Sequence, residues 1–149
     1  MTSIWGPKVW GLLHRLSFYS NRQDVPAAWK NVLRVLNEVL PCALCRRHMR
    51  DYMAANPLTF PVGATSAIIR DTIIFWLFNF HNHVNLDTGR AIFPFDMMEL
   101  QYGQGTHDDA VIDAKRLISE IDTAWLGIRA REWRLAIHYL SGLIAGGPL

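Results

Sequence analysis

Cys42 and Cys45 are the only cysteines in the 149-residue chain, and both lie in one Cys-Ala-Leu-Cys segment. A disulfide across so short a loop constrains the unfolded chain little, so its value is chemical. A C-x-x-C at a helix N-terminus sets one sulfur among free backbone N–H groups at the positive end of the helix dipole. That setting favours the thiolate, the species that attacks disulfides and donates electrons, as does the basic run Arg46, Arg47, His48 and Arg50. Two other readings stay open. Cys42, Cys45 and His48 could supply three zinc ligands, with His81 or His83 as a fourth. The pair could also be passive core. A thioredoxin reading needs strand–helix alternation, which is missing. A c-type haem needs His after the second cysteine, where Arg46 stands.

A second group lies further along. Phe78, His81, Asn82 and Asn85 fall at i, i+3, i+4 and i+7, on one face of a helix otherwise built of Ile, Phe, Trp and Leu. Buried amides need partners, so this face bonds neighbouring helices, faces solvent near a frayed end, or meets a ligand. Near the N-terminus, Gly6, Trp10 and His14 are spaced at i+4. Aromatic surfaces with a few directed polar groups suit a flat heteroaromatic ligand.

The elements that must carry these residues read as helices throughout. No stretch shows sustained strand alternation. A first helix is predicted from Trp5 to about Tyr19, with Pro7 in its first turn and Leu12, Leu16 and Tyr19 as an apolar line. Asp24 is the expected N-cap of a second helix, with Pro26 in its first turn and Trp29, Val32, Leu33, Leu36, Val39 and Leu40 on a broad apolar face. A third helix should begin near Cys42 and stop at Asn56-Pro57. A fourth, capped by Thr65 or Ser66, should reach about Asn85. Asp87, Thr88 and Gly89 form a turn, and a short helix covers Phe95 to Tyr102. Beyond Gly103-Gln104-Gly105, one stripe runs through Val111, Ala114, Ile118, Ile121, Trp125 and Ile128. Another runs through Trp133, Ile137, Leu140 and Ile144, out of phase, which implies a break near Gly127 to Arg131. The expected fold is all-α: a four-helix bundle with a short fifth helix and a helical C-terminal extension.

Composition narrows the partners. The formal net charge is only +2, which argues against nucleic-acid binding by bulk charge. The most apolar run, Ile73 to Phe80, is too short to span a bilayer, and no secretory signal is visible, so the chain is expected to be soluble with no membrane partner.

Three blocks, in order, resemble the Erv/ALR sulfhydryl oxidases: Trp5-Gly6-Pro7-x-x-Trp10-x-x-x-His14 with Tyr19 five beyond, then Pro41-Cys42-x-x-Cys45, then His81-Asn82-x-Val84-Asn85. The resemblance implies noncovalent FAD at the mouth of the bundle. It implies that Gly6, Trp10, His14 and Tyr19 line the flavin site from the first helix, and His81, Asn82, Val84 and Asn85 from the fourth, with His81 beside the adenine. Arg90 stands where the family often has a basic residue near the cofactor. By the same analogy Cys45 is the sulfur next to the flavin and Cys42 exchanges with substrate. Electrons would pass from substrate dithiol to the cysteine pair, to FAD, and to molecular oxygen, giving hydrogen peroxide. Thr88 departs from the family's usual Leu, and Tyr102 stands for its usual late tryptophan.

Many relatives carry a further shuttle pair of cysteines, which this chain lacks, so the resemblance implies direct use of a protein's thiols or of a thioredoxin-like dithiol carrier. This compact form looks most like virus-encoded members, which implies the host cytoplasm and the virion as locations. A homodimer is implied as well. The resemblance covers residues 1–102; residues 103–149 are expected to form an extension packing on the bundle or on a dimer partner.

Overall fold

The computed structural model describes residues 2–125 and 129–148, and among these every regular element is a helix. They are α1 (Thr2–Ser17), α2 (Pro26–Val39), α3 (Ala43–Ala55), α4 (Ser66–Asp87), α5 (Asp96–Tyr102), α6 (His107–Ala124) and α7 (Arg129–Ala145). The all-α expectation holds, with helices beyond the compact bundle.

Local chemistry explains most of the helix ends. Pro26 opens α2, where its missing N–H costs nothing. Thr65 caps α4 by accepting the Ile68 N–H at 3.2 Å. Thr106 and Asp109 form a reciprocal capping box on α6. Two expectations fail. Asp24 does not cap α2; Val25 holds that position, and Asp24 is held by Arg22 through paired bonds of 2.8 Å. Pro7 lies inside α1 rather than in its first turn, because the helix starts earlier, at Thr2. The expected break after α6 begins at Trp125, whose backbone is extended, and the helix has resumed by Arg129. Gly127 and the stripe residue Ile128 lie outside the described residues.

The core gathers on α1 and α2. Leu12, Leu13, Leu16, Trp29 and Val32 are fully enclosed. α4 and α5 pack on α1 from one side, and α3 packs on α2. α6 lies along α1 and α7 along α2, and the two also pack on each other. Their stripes explain this: Ala110, Ala114 and Ile121 are buried on α6, and Trp133, Ile137, Leu140 and Ile144 on α7. Trp125 links the layers, with its ring edge-on to Trp5 at 5.5 Å and 6.0 Å from Trp133.

Polar ties fix the joints. Arg15 reaches Asp113 at 3.0 Å and the Tyr102 carbonyl at 2.7 Å, joining α1 to α6 and to the end of α5. Arg22 donates to the Gly147 carbonyl at 2.6 Å, holding the end of α7 against the α1–α2 turn. Among the described residues, no helix is long and apolar enough to cross a membrane.

Candidate active site

Pro41 ends α2, and Cys42 takes the N-cap position of α3. Its sulfur accepts the Cys45 N–H at 3.2 Å, and the two cysteines are joined as a disulfide with Cα atoms 5.1 Å apart. The motif thus lies at the positive end of a 13-residue helix. Arg46, directly after the motif, donates from Nη1 to the Leu40 carbonyl at the end of α2. Asn37 donates from Nδ2 to the Arg46 carbonyl at 2.7 Å. This latch sets the angle at which the disulfide leaves α2. In the sequence Arg46 is one member of a basic run; the fold shows that its guanidinium turns back to α2.

Cys45 lines an open-mouthed cleft of about 140 Å³. Gly6 and Trp10 come to it from α1, Leu36 and Leu40 from the end of α2, and His48 and Met49 from α3. Phe80 and Val84 close it from α4, with Thr88 and Arg90 beyond that helix. Cys42 does not line it. A Cβ added at Gly6 would meet no atom within 4 Å, so glycine leaves that wall hollow. The lining residues fit a flat heteroaromatic group. Cavities of about 150 Å³ already accept a benzene ring, and this one is open on one side.

Trp10 is also part of a second arrangement. Its ring stacks on His81, with centroids 4.0 Å apart and planes within 7°. No flat ring can enter between them. His81 Nδ1 is 2.8 Å from His14 Nε2, and Tyr102 stacks on His14 at 4.9 Å. Burial pushes the His14 pKa down to about 3, with the charge of His81 adding to the effect. Burial also pushes His81 down to about 4, with the charge of Arg90 adding. Both rings are therefore neutral near neutral pH, and one must donate to the other. His14 Nδ1 is buried without a partner. A proton placed there would be an unmet buried donor, so His14 Nε2–H donates to His81 Nδ1. His81 Nε2–H is then the donor that the pair has left.

The two asparagines serve the backbone. Asn82 donates from Nδ2 to the Phe93 carbonyl at 3.0 Å and accepts the Phe93 N–H at 2.8 Å. Asn85 donates to Asn82 Oδ1 at 3.3 Å. Together they fold the α4–α5 connection back onto α4. Tyr19 donates to the Gly105 carbonyl at 2.9 Å, at the joint with α6 and away from the cleft.

Of the residues singled out in the sequence, Gly6, Trp10, Cys45, Val84 and Arg90 therefore meet at one cleft. His14 and His81 form its buried neighbour, while Asn82, Asn85 and Tyr19 hold chain segments in place. The cleft also takes in Trp5, which opens the first family block, and Val9 and Leu13, which carry only the ordinary signal of an apolar helix face.

The zinc arrangement does not assemble. His81 is taken by His14 and Trp10, and His83 pairs with Asp87 at 3.2 Å. Among the described residues no cluster of three His, Cys, Asp or Glu side chains could hold a metal ion.

Comparison with known proteins bears on the same residues. The Erv1 / Alr family model matches residues 7–103. An FAD-linked sulfhydryl oxidase of African swine fever virus (isolate Pig/Kenya/KEN-50/1950) is 32% identical over 103 residues, covering 67% of this chain and 81% of that protein. A putative FAD-linked sulfhydryl oxidase, 096R, of Invertebrate iridescent virus 3 is 32% identical over 85 residues, covering 55% of this chain and 54% of its own length. The FAD-linked sulfhydryl oxidase ERV1 of Arabidopsis thaliana is 24% identical over 106 residues, covering 66% of this chain and 50% of its own length. No solved structure matches significantly. The matched stretch contains the disulfide and most of the cleft around it, and on that match the chain belongs to the Erv1/Alr family.

Proposed function

We infer that the chain is an FAD-dependent thiol oxidase that places disulfide bonds in partner proteins through Cys42 and Cys45. One observation carries the reading. In a chain of this family, one residue of a helix-capping disulfide, Cys45, lines an open cleft walled by aromatic side chains, and the other, Cys42, does not.

In the reading, Cys42 is the outer sulfur. A substrate thiolate attacks it, the Cys42–Cys45 bond breaks, and Cys45 leaves as thiolate. The substrate's second thiolate then attacks the substrate sulfur of the mixed disulfide and releases Cys42. The substrate has lost two protons and two electrons, and the cysteine pair holds the electrons. Helix α3 assists both departures. Cys42 departs as an N-cap thiolate facing backbone N–H groups, and Cys45 departs within the first turn. The chemistry that FAD supplies when bound is acceptance of this electron pair and its delivery to oxygen, giving hydrogen peroxide.

Gly6, Trp10 and Val84 would hold the ring of FAD, and exposed Arg90 suits its phosphates. His14 and His81 keep the Trp10 wall in place as a neutral pair, and Asn82 and Asn85 hold the connection that carries Arg90. Tyr19 acts at one remove, through the end of α5. The substrate is a protein dithiol or a thioredoxin-like carrier, since no third cysteine is present to shuttle electrons. By kinship with the viral relatives, we place the work in a host cytoplasm or virion, by a homodimer.

The purified protein should be yellow, release FAD on denaturation, and oxidise dithiothreitol with one hydrogen peroxide per disulfide formed. A colourless protein inert to dithiols would overturn the reading.

A further inference from the structure

The cofactor cleft takes one side of the disulfide, so substrate must come from another. A separate open groove of about 800 Å³ ends at Pro41, the residue before Cys42. Ile4, Trp5 and Lys8 of α1 form one wall, Glu120 and Thr123 of α6 the other, and Pro41 an end. Pro41 immediately precedes Cys42 in the chain, and neither cysteine itself lines the groove. Trp5 lines both spaces and is the partition between them. The α6 wall lies beyond residue 103, and Ile4 and Trp5 lie before residue 7, outside the stretch that the family model matches.

We propose that this groove binds the polypeptide that delivers its thiols to Cys42, an extended segment with apolar residues beside its cysteines. The proposal rests on Cys42 being the exchanging sulfur. Three features define the occupant. The volume is within the range that holds a small-molecule-sized ligand, about 300–1,000 Å³, which also suits a few peptide side chains. The floor is apolar, from Ile4, Trp5 and Pro41, and Ile4 is 56% exposed with nothing covering it among the described residues. One charge of each sign is at hand: Lys8 and Glu120 pair at 3.3 Å across α1 and α6, Glu120 also meets Arg116 at 3.4 Å, and the side chains of Lys8 and Glu120 each remain more than a third exposed. A pair so exposed contributes little to stability and can exchange partners with a peptide's own charged groups at small cost. The groove would thus give a polypeptide an advantage over a small dithiol, without altering the exchange at Cys42.

The test separates binding from chemistry. Ile4→Arg and Thr123→Trp each obstruct the groove at an exposed or rim position and touch neither cysteine nor the cleft. Two substrates are compared on the flavin-loaded enzyme: dithiothreitol, and a short synthetic peptide with a Cys-Gly-Gly-Cys dithiol between leucines. Each variant should raise KM for the peptide about tenfold, equal to about 1.4 kcal/mol of lost binding, and leave dithiothreitol turnover unchanged. A second measurement needs no flavin turnover. In Cys45→Ser, Cys42 should displace thionitrobenzoate from the peptide's activated mixed disulfide faster than from dithionitrobenzoate. Ile4→Arg in that background should erase the difference. An unchanged peptide KM in variants that keep full helical circular dichroism overturns the proposal, and so does an equal loss for both substrates. Wild type inert to both dithiols would instead overturn the oxidase reading itself.

Discussion

Trp10 is shared by two polar pairs that are held in different ways. On one side it lines the cleft with Cys45, half-buried at the start of α3, where basic side chains and free helix N–H groups are close at hand. On the other it stacks on His81, whose partner His14 is fully enclosed and kept neutral. On the proposed reading the cysteine pair changes its bonding, because substrate reaches Cys42 and the thiolate that leaves meets a helix dipole. The histidine pair does not, because any proton it gained would be desolvated. Ionisable groups close together in space thus divide into a reacting pair and a positioning pair. Solvent access decides which is which, more than residue type does.

The largest effect that would break this division concerns the cysteines. Cys42→Ser and Cys45→Ser should each lower dithiol turnover by about a thousandfold or more, as removal of a reacting group does. Full activity in Cys42→Ser, measured by oxygen uptake, would show that the outer sulfur does not exchange with substrate.

Trp133 and Asn82 sharpen the contrast between packing and positioning. Trp133→Ala empties a fully enclosed site on α7 and should cost about 3–5 kcal/mol in denaturant unfolding, while turnover per folded molecule is kept. Asn82→Ala strips the paired bonds to Phe93 and should cost about 2 kcal/mol. Unlike Trp133→Ala, it should also weaken FAD retention, because the freed connection carries Arg90. Equal retention in the two variants would remove Asn82 from the site's support.

A smaller effect concerns pH. His14 and His81 stand at about 3 and about 4 in the folded chain, against 6.5 when unfolded. As pH falls below 6.5 the unfolded state takes up protons first, so stability declines until the folded values are reached. The denaturation midpoint should be level above pH 6.5 and fall from there towards pH 4. This window lies above the range where Asp24, itself held low by its bonds to Arg22, contributes. In His14→Leu/His81→Leu the fall across that window should shrink, leaving the part from His107, whose pKa burial also lowers. An unchanged slope would mean that the pair is not buried and neutral.

The same contrast explains what could be read from the sequence. Helices α1 to α5 follow from apolar periodicity and from local signals such as Thr65 and Pro26. The place of Cys42 at a helix start follows from Pro41 before it. The threonine-aspartate box that starts α6 is an equally local signal. The pairing of His14 with His81 was hidden, because the two lie 67 positions apart and either alone looks like a ligand-facing residue. The asparagines stay open between two readings for a related reason. A buried amide announces that it needs a partner without saying whether that partner is a cofactor or the protein's own backbone. Asp24 failed as a cap because Arg22, itself tied to Gly147 at the far end of the chain, competes for its carboxylate.

The most direct test of the central claim, that Cys45 faces FAD while Cys42 faces substrate, is the visible spectrum of Cys42→Ser. With Cys42 gone, Cys45 is a free thiolate beside the ring. The variant should show a flavin spectrum with an added long-wavelength charge-transfer band, which Cys45→Ser lacks. A flavin spectrum with no such band in Cys42→Ser, or the band in Cys45→Ser instead, would contradict the assignment.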